Sequence, residues 1–161
     1  MWEAAEVAGS AEVSPDGRYR YALQRTWAPG RPRMLWVLAN PSSADARADD
    51  PTLRRCIRFA RDHGCGGLAV VNLWAWRSAR PLDLADVIDP VGPDNDSWIA
   101  TLRGQADGPV VLGWGVQSDQ VRVATVLGLL GTRPKHCLGQ TRDGHPRHPL
   151  YVRAGTRLRP W

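Results

Sequence analysis

Three stretches of the chain carry side chains able to do chemistry. The first is Asn40-Pro41-Ser42-Ser43-Ala44-Asp45, followed at once by Asp49-Asp50-Pro51. A side-chain amide, two hydroxyls and the turn's own N–H groups can grip a base or a phosphate, although Asn and Ser also serve in ordinary strand-to-helix turns. Among the carboxylates, Asp45 is the first choice for general-base work, because a base must stand within hydrogen-bond reach of the water it activates. Asp50, just ahead of Pro51, reads as a helix cap instead.

The second stretch is Asn72-Leu73-Trp74-Ala75-Trp76-Arg77, with Arg80 beyond. An amide ending an apolar run is costly unless hydrogen-bonded, so Asn72 is either a partner for the neighbouring loop or a reader of a base or sugar. Trp74 and Trp76 lie just beyond this run, and one of them is offered for ring stacking. Arg77 and Arg80 are candidate anion binders. The third stretch is Gly139-Gln140-Thr141-Arg142-Asp143-Gly144-His145-Pro146-Arg147-His148-Pro149-Leu150-Tyr151. Proline after each histidine disfavours helix there, so His145 and His148 are not a helical ligand pair, and zinc is not expected. A loop histidine held by proline suits a donor to a phosphate or to developing negative charge, and His148 is the stronger candidate. No Ser–His–Asp relay follows from spacing alone. There is no P-loop, and Gly113-Trp114-Gly115 lacks the rest of a dinucleotide fingerprint.

The elements that must position these residues read as an α/β fold. Met34 to Ala39, Leu68 to Leu73, Pro109 to Trp114 and the shorter His136-Cys137-Leu138 are apolar runs of buried parallel strands. Pro51 to His63 is a helix capped by Asp50, with Leu53, Cys56, Ile57 and Ala60 inward and Arg54, Arg55, Arg58 and Arg61 outward; Gly64 follows. Ser97 to Ala106 and Val121 to Leu130 are the other helices, and Leu82 to Ile88 one or two helical turns. Tyr19 to Thr26 alternates as a strand, with Tyr19, Tyr21 and Leu23 on one side and Arg18, Arg20 and Gln24 on the other. Trp27 to Arg33 then forms a hairpin-like connection. The expected architecture is a three-layer α/β/α sandwich on a mostly parallel four-stranded sheet, with room for an antiparallel edge strand. All four polar clusters, beginning at Asn40, Asn72, Gly113 and Thr141, would then meet at one rim of the sheet.

Length and composition fit a single domain over 1–161, with 1–14 a loose arm or edge element and 152–161 a basic tail. The net charge of +5 suits a polyanionic partner without requiring one. Met1 to Ser14 has no apolar core segment and no run nears 18 apolar residues, so a cytoplasmic protein with no membrane partner is expected. Cys56, Cys65 and Cys137 have no ligand spacing and read as free thiols. No cofactor is expected, and a monomer is the default.

Taken together, the motifs resemble an uncharacterised bacterial and phage family, domain of unknown function 1643. The resemblance runs from about Tyr19 to Tyr151 and covers Asn40 to Asp45, Asp49 to Thr52, Val71 to Arg77, Pro90 to Asp96, Gly113 to Gly115 and Leu138 to Tyr151. A more distant resemblance is to the uracil-DNA glycosylase superfamily, which places a motif after the first core strand, an asparagine at the end of the second, a glycine on the third and a late histidine-proline loop. Asn40-Pro41-Ser42, Asn72, Gly113 and His148-Pro149 match those features in order. That resemblance implies a uracil-DNA-glycosylase-like fold. It also implies a flipped base read by Asn72 and stacked on Trp74 or Trp76, water positioned by Asn40 or Asp45, and charge on the departing base stabilised by His148. Pro41, Ser42, Ser43, Arg77, Gly113, Trp114 and Tyr151 complete the expected binding set. The expected ligand is nucleic acid or a nucleotide, with hydrolysis of an N-glycosidic bond as the chemistry and silent binding as the alternative.

Overall fold

The computed structural model describes residues 7–78 and 81–161. Its centre is β3 (Arg33–Leu38), whose inward residues are apolar on both sides, as a strand covered on two faces requires. Met34, Trp36 and Leu38 face one layer, Leu35 and Val37 the other. The first crossover runs from β3 through α1 (Pro51–Asp62) to β4 (Gly67–Asn72), parallel to β3. The second passes through α2 (Asn95–Gln105) to β5 (Val110–Leu112), on the opposite flank of β3. The third passes through α3 (Gln120–Leu130) to β6 (Lys135–Cys137). Right-handed crossovers running in opposite directions must lay their helices on opposite faces. Accordingly Leu53, Cys56, Phe59 and Ala60 of α1 pack on the Trp36 face, while Ile99, Leu102, Val126 and Leu130 of α2 and α3 pack on the Leu35 face. The reversal falls between β3 and β5, where an open α/β sheet leaves a crevice beyond its carboxyl ends.

Among the described residues the sheet has seven strands, not four. β1 (Ala8–Val13) and β2 (Arg20–Thr26) join beyond β4, and β7 (Arg159–Pro160) joins beyond β6, giving the order β1-β2-β4-β3-β5-β6-β7. Three pairings are parallel and three antiparallel, so the mostly parallel four-strand expectation describes only the centre. Residues 8–13, expected as a loose arm or an edge element, form an edge strand paired with β2. The supposed basic tail is also tied down: Val152 and Leu158 pack on the α1-side core, and the Leu158 N–H lies 3.3 Å from His63 Nε2.

The hairpin-like link from β2 to β3 is not observed. β4 lies between those two strands, and residues 27–32 cross its start. The N–H groups of Trp27 and Ala28 both donate to the Gly66 carbonyl at 2.9 Å, and the Gly66 N–H donates to Pro32. A Cβ at Gly66 would sit 1.9 Å from the Ala28 oxygen, so only glycine permits the crossing.

A second departure concerns β2 itself. Its register with β1 slips: Glu12 faces Ala22 but Val13 faces Arg20, leaving Tyr21 as an extra residue. A bulge of this kind reverses the alternation beyond it. Arg20, expected on the face opposite Leu23, instead reaches Ala44 on the Leu23 side and is 4% exposed.

Candidate functional site

A cleft of about 770 Å³ opens at the carboxyl ends of β3 and β5, on the side covered by α1. It draws on all four strand exits: Asn40, Ser42 and Asp50 after β3, Trp74 after β4, Trp114 to Ser118 after β5, and Thr141, Arg147, His148 and Tyr151 after β6.

The loop after β3 is built by its own carboxylates. Asp50 caps α1, its Oδ1 accepting from the Leu53 N–H at 2.8 Å and its Oδ2 from the Ala44 N–H at 3.3 Å. Asp45 Oδ1 accepts from Arg47 and Ala48 N–H at 2.8 and 2.7 Å, and those two bonds lower its pKa. It is exposed and outside the cleft lining, so the structure does not bring this expected base to the site. Buried Arg25 clamps the same loop, pairing with Asp49 at 3.0 Å and donating to the Asp45 carbonyl. Asn40 is fixed by its amide nitrogen, which donates to Ser78 O at 2.8 Å and Pro41 O at 3.2 Å. Its side-chain oxygen is thus the atom left to accept. Pro41 is buried and Ser43 exposed, and neither lines the cleft.

At the exit of β4, two buried side chains brace the backbone. Asn95 Nδ2 donates to the carbonyls of Asn72 at 3.0 Å and Leu73 at 3.3 Å, and Arg122 Nε donates to Leu73 at 2.7 Å. Asn72 follows Leu68 and Val70 on the α1-side face and pairs in register with Leu38; Val70 and Leu38 line the cleft. Its side chain is 1% exposed and lies behind the cleft wall, not among the lining residues, and neither its Nδ2 nor its Oδ1 has a hydrogen-bond partner. Trp74 lines the cleft with Nε1 near Gln117 Oε1 at 3.5 Å. Trp76 does not: it meets Tyr19 edge-on at 5.5 Å, and Tyr19 stacks on Tyr21. Arg77 reaches toward the Gly17 carbonyl at 3.5 Å and is not among the residues that line the cleft, and Arg80 lies outside the described residues.

Gly113 touches no cleft space of its own. A Cβ there would fall 3.1 Å from Leu38, 3.2 Å from Pro149 and 3.3 Å from Trp36, so its bareness lets the His148-Pro149 loop pack onto the end of β5. His148 Nδ1 then accepts from the Leu150 N–H at 3.2 Å, which fixes the neutral tautomer with its proton on Nε2. Burial lowers its pKa, opposed by the charge of Asp50. His148 therefore offers a neutral N–H donor, backed by Tyr151 at 5.5 Å. Tyr151 itself is 80% exposed at the mouth, and Trp114 is buried in the wall against Trp161. His145, the weaker candidate, accepts from Gln117 N–H outside this cleft.

Sequence reasoning missed Arg20, which lines the cleft from β2 and which only the bulge turns inward. Burial pulls its pKa down to about 10, with Asp50 acting in the other direction, so it stays charged at neutral pH. Among the described residues, no group of three or more His, Cys, Asp or Glu side chains is placed to hold a metal ion, and no helix is long and apolar enough to cross a membrane.

No curated protein and no solved structure matches the chain. The likeness to uracil-DNA glycosylases therefore stands on the quoted residues alone. A family model does match, described as "Protein of unknown function (DUF1643)", and its match spans residues 20–150. That span runs from Arg20 to the loop of His148 and so includes nearly all of the cleft, and the chain belongs to that family.

Proposed function

We propose that the cleft recognises a nucleobase, presented by nucleic acid or by a nucleotide. The observation that carries this reading is the Asn72 amide, fully buried beside the cleft lining with both polar atoms unpaired. A buried amide without partners costs stability, and such a group in a folded protein calls for a missing partner. One donor and one acceptor side by side match the edge of a heterocycle, as asparagine matches adenine in duplex readout. Trp74 and Tyr151 supply faces on which a ring can stack.

Hydrolysis of an N-glycosidic bond is the chemistry this arrangement suits. Asn40 retains an acceptor oxygen for a water, and His148 presents an N–H toward charge gathering on a departing base. One observation favours silent binding instead: the carboxylates lining the cleft, Asp50 and Asp119, both cap helices and accept backbone N–H groups. Incubation with single- and double-stranded oligonucleotides bearing modified bases, scored for abasic sites and for binding in parallel, separates the two. Base release lost in both Asn40→Ala and His148→Ala supports the hydrolase. Saturable binding without release supports the binder, and neither binding nor release overturns the reading.

A further inference from the structure

Among the described residues three arginines are buried, and two are neutralised in the ordinary way. Arg25 pairs with Asp49 at 3.0 Å and Arg122 with Asp96 at 2.8 Å. Arg20 is buried as deeply and pairs with no carboxylate among the described residues. Its Nη1 donates to the Ala44 carbonyl at 2.8 Å, and its Nε is buried without a partner. The nearest acid in electrostatic terms, Asp50, has committed both oxygens to backbone N–H groups. Buried charges are normally paired, and a guanidinium is shaped to take two oxygens of one anion. The side chain lines the cleft because of the register slip at Tyr21, and bulges recur where a side chain is re-aimed at a site.

The surroundings suit a phosphate. The N-terminus of α1 borders the same cleft through Thr52 and Leu53, but the Asp50 carboxylate already takes the Leu53 N–H and Pro51 has none to give, so the helix end itself is occupied. The hydroxyls of Ser42 and Thr52 line it as well. Hydroxyl donors beside a guanidinium with an unused N–H suit the oxygens of a phosphate.

We infer that Arg20 receives a phosphate group of the ligand, so that the cleft takes a nucleotide or a phosphodiester-linked base in preference to a free base or nucleoside. This rests on the nucleobase reading for the remainder of the ligand, but not for the anion site. The test is calorimetric titration with inorganic phosphate, a nucleoside, its 5′-monophosphate and a short oligonucleotide, on the native protein and on Arg20→Met and Arg20→Lys.

In the native protein the monophosphate or the oligonucleotide should bind at least about tenfold more tightly than the nucleoside, the scale of a charge-assisted hydrogen bond. That preference should vanish in Arg20→Met and shrink in Arg20→Lys, which keeps the charge but not the fork. Should Arg20→Met not fold, the native preference and its reduction in Arg20→Lys decide the matter. Equal affinity for nucleoside and phosphorylated ligands in the native protein, or a preference untouched by either substitution, overturns the inference. Inorganic phosphate that binds through Arg20 with no response to any base leaves the anion site standing and removes the nucleobase reading. No binding of any probe removes both. The relative strength of monophosphate and oligonucleotide identifies the source of the phosphate.

Discussion

The unpaired amide of Asn72 makes a prediction that ordinary core residues do not. Leucine is close in size and asks for no hydrogen bond, so Asn72→Leu should raise stability by about 1–3 kcal/mol, the cost of a buried unsatisfied group. It should at the same time abolish ligand binding; urea unfolding beside a titration measures both, and a destabilised variant would place Asn72 in a network instead. His148 carries a pH signature. Its pKa is lowered in the folded state by burial, so the unfolded chain binds the proton more readily. The stability it contributes is complete above the unfolded value of about 6.5 and is lost as pH falls through the lower folded value. Protonation would also place a proton on the Nδ1 that accepts from Leu150. In His148→Gln the acid-side loss of Tm in that window should diminish. At this scale the sequence was informative where a residue followed an apolar run, as for Asn40 and Trp74, or stood in a loop next to proline, as for His148. It was silent for Arg20, whose direction depends on a slip in pairing that no alternation pattern records.

Among the elements, α1 and its cap were legible because Asp50, Pro51 and the apolar spacing express local preferences, although the inward face includes Phe59, which was not expected there, and holds Ile57 only partly buried. The path from β2 to β3 was not, because it depends on which strand fills the space between them. The cap is directly testable. Asp50→Ala removes bonds to both Leu53 and Ala44 and should cost about 1–2 kcal/mol, while Asp50→Ser, still able to cap, should recover much of it. At the end of β5, Gly113→Ala must push against Pro149, Leu38 and Trp36. Overpacking of this kind should cost about 1–3 kcal/mol in chemical denaturation and weaken binding through displacement of His148.

For the molecule as a whole, the two ends of the chain complete the sheet. Removing residues 153–161 takes away β7, the burial of Leu158 and the edge of Trp161 on Trp114. The loss should lower stability by about 1.5–3 kcal/mol, the scale of one large apolar side chain, as read from the urea midpoint. The convergence of the four strand exits was legible from the order of apolar runs, whereas β1 and β7 were too polar or too short to announce themselves. The position of β2 has a consequence for how the protein is made. Emerging early from the ribosome, β2 can pair at once with β1, but its other side is reserved for a strand not yet translated. Residues 67–72 must leave the exit tunnel before that row of amides and carbonyls is satisfied. Until β4 is made the β1–β2 pair is complete on one side only, and it is β4, paired with both β2 and β3, that joins this pair to the rest of the sheet.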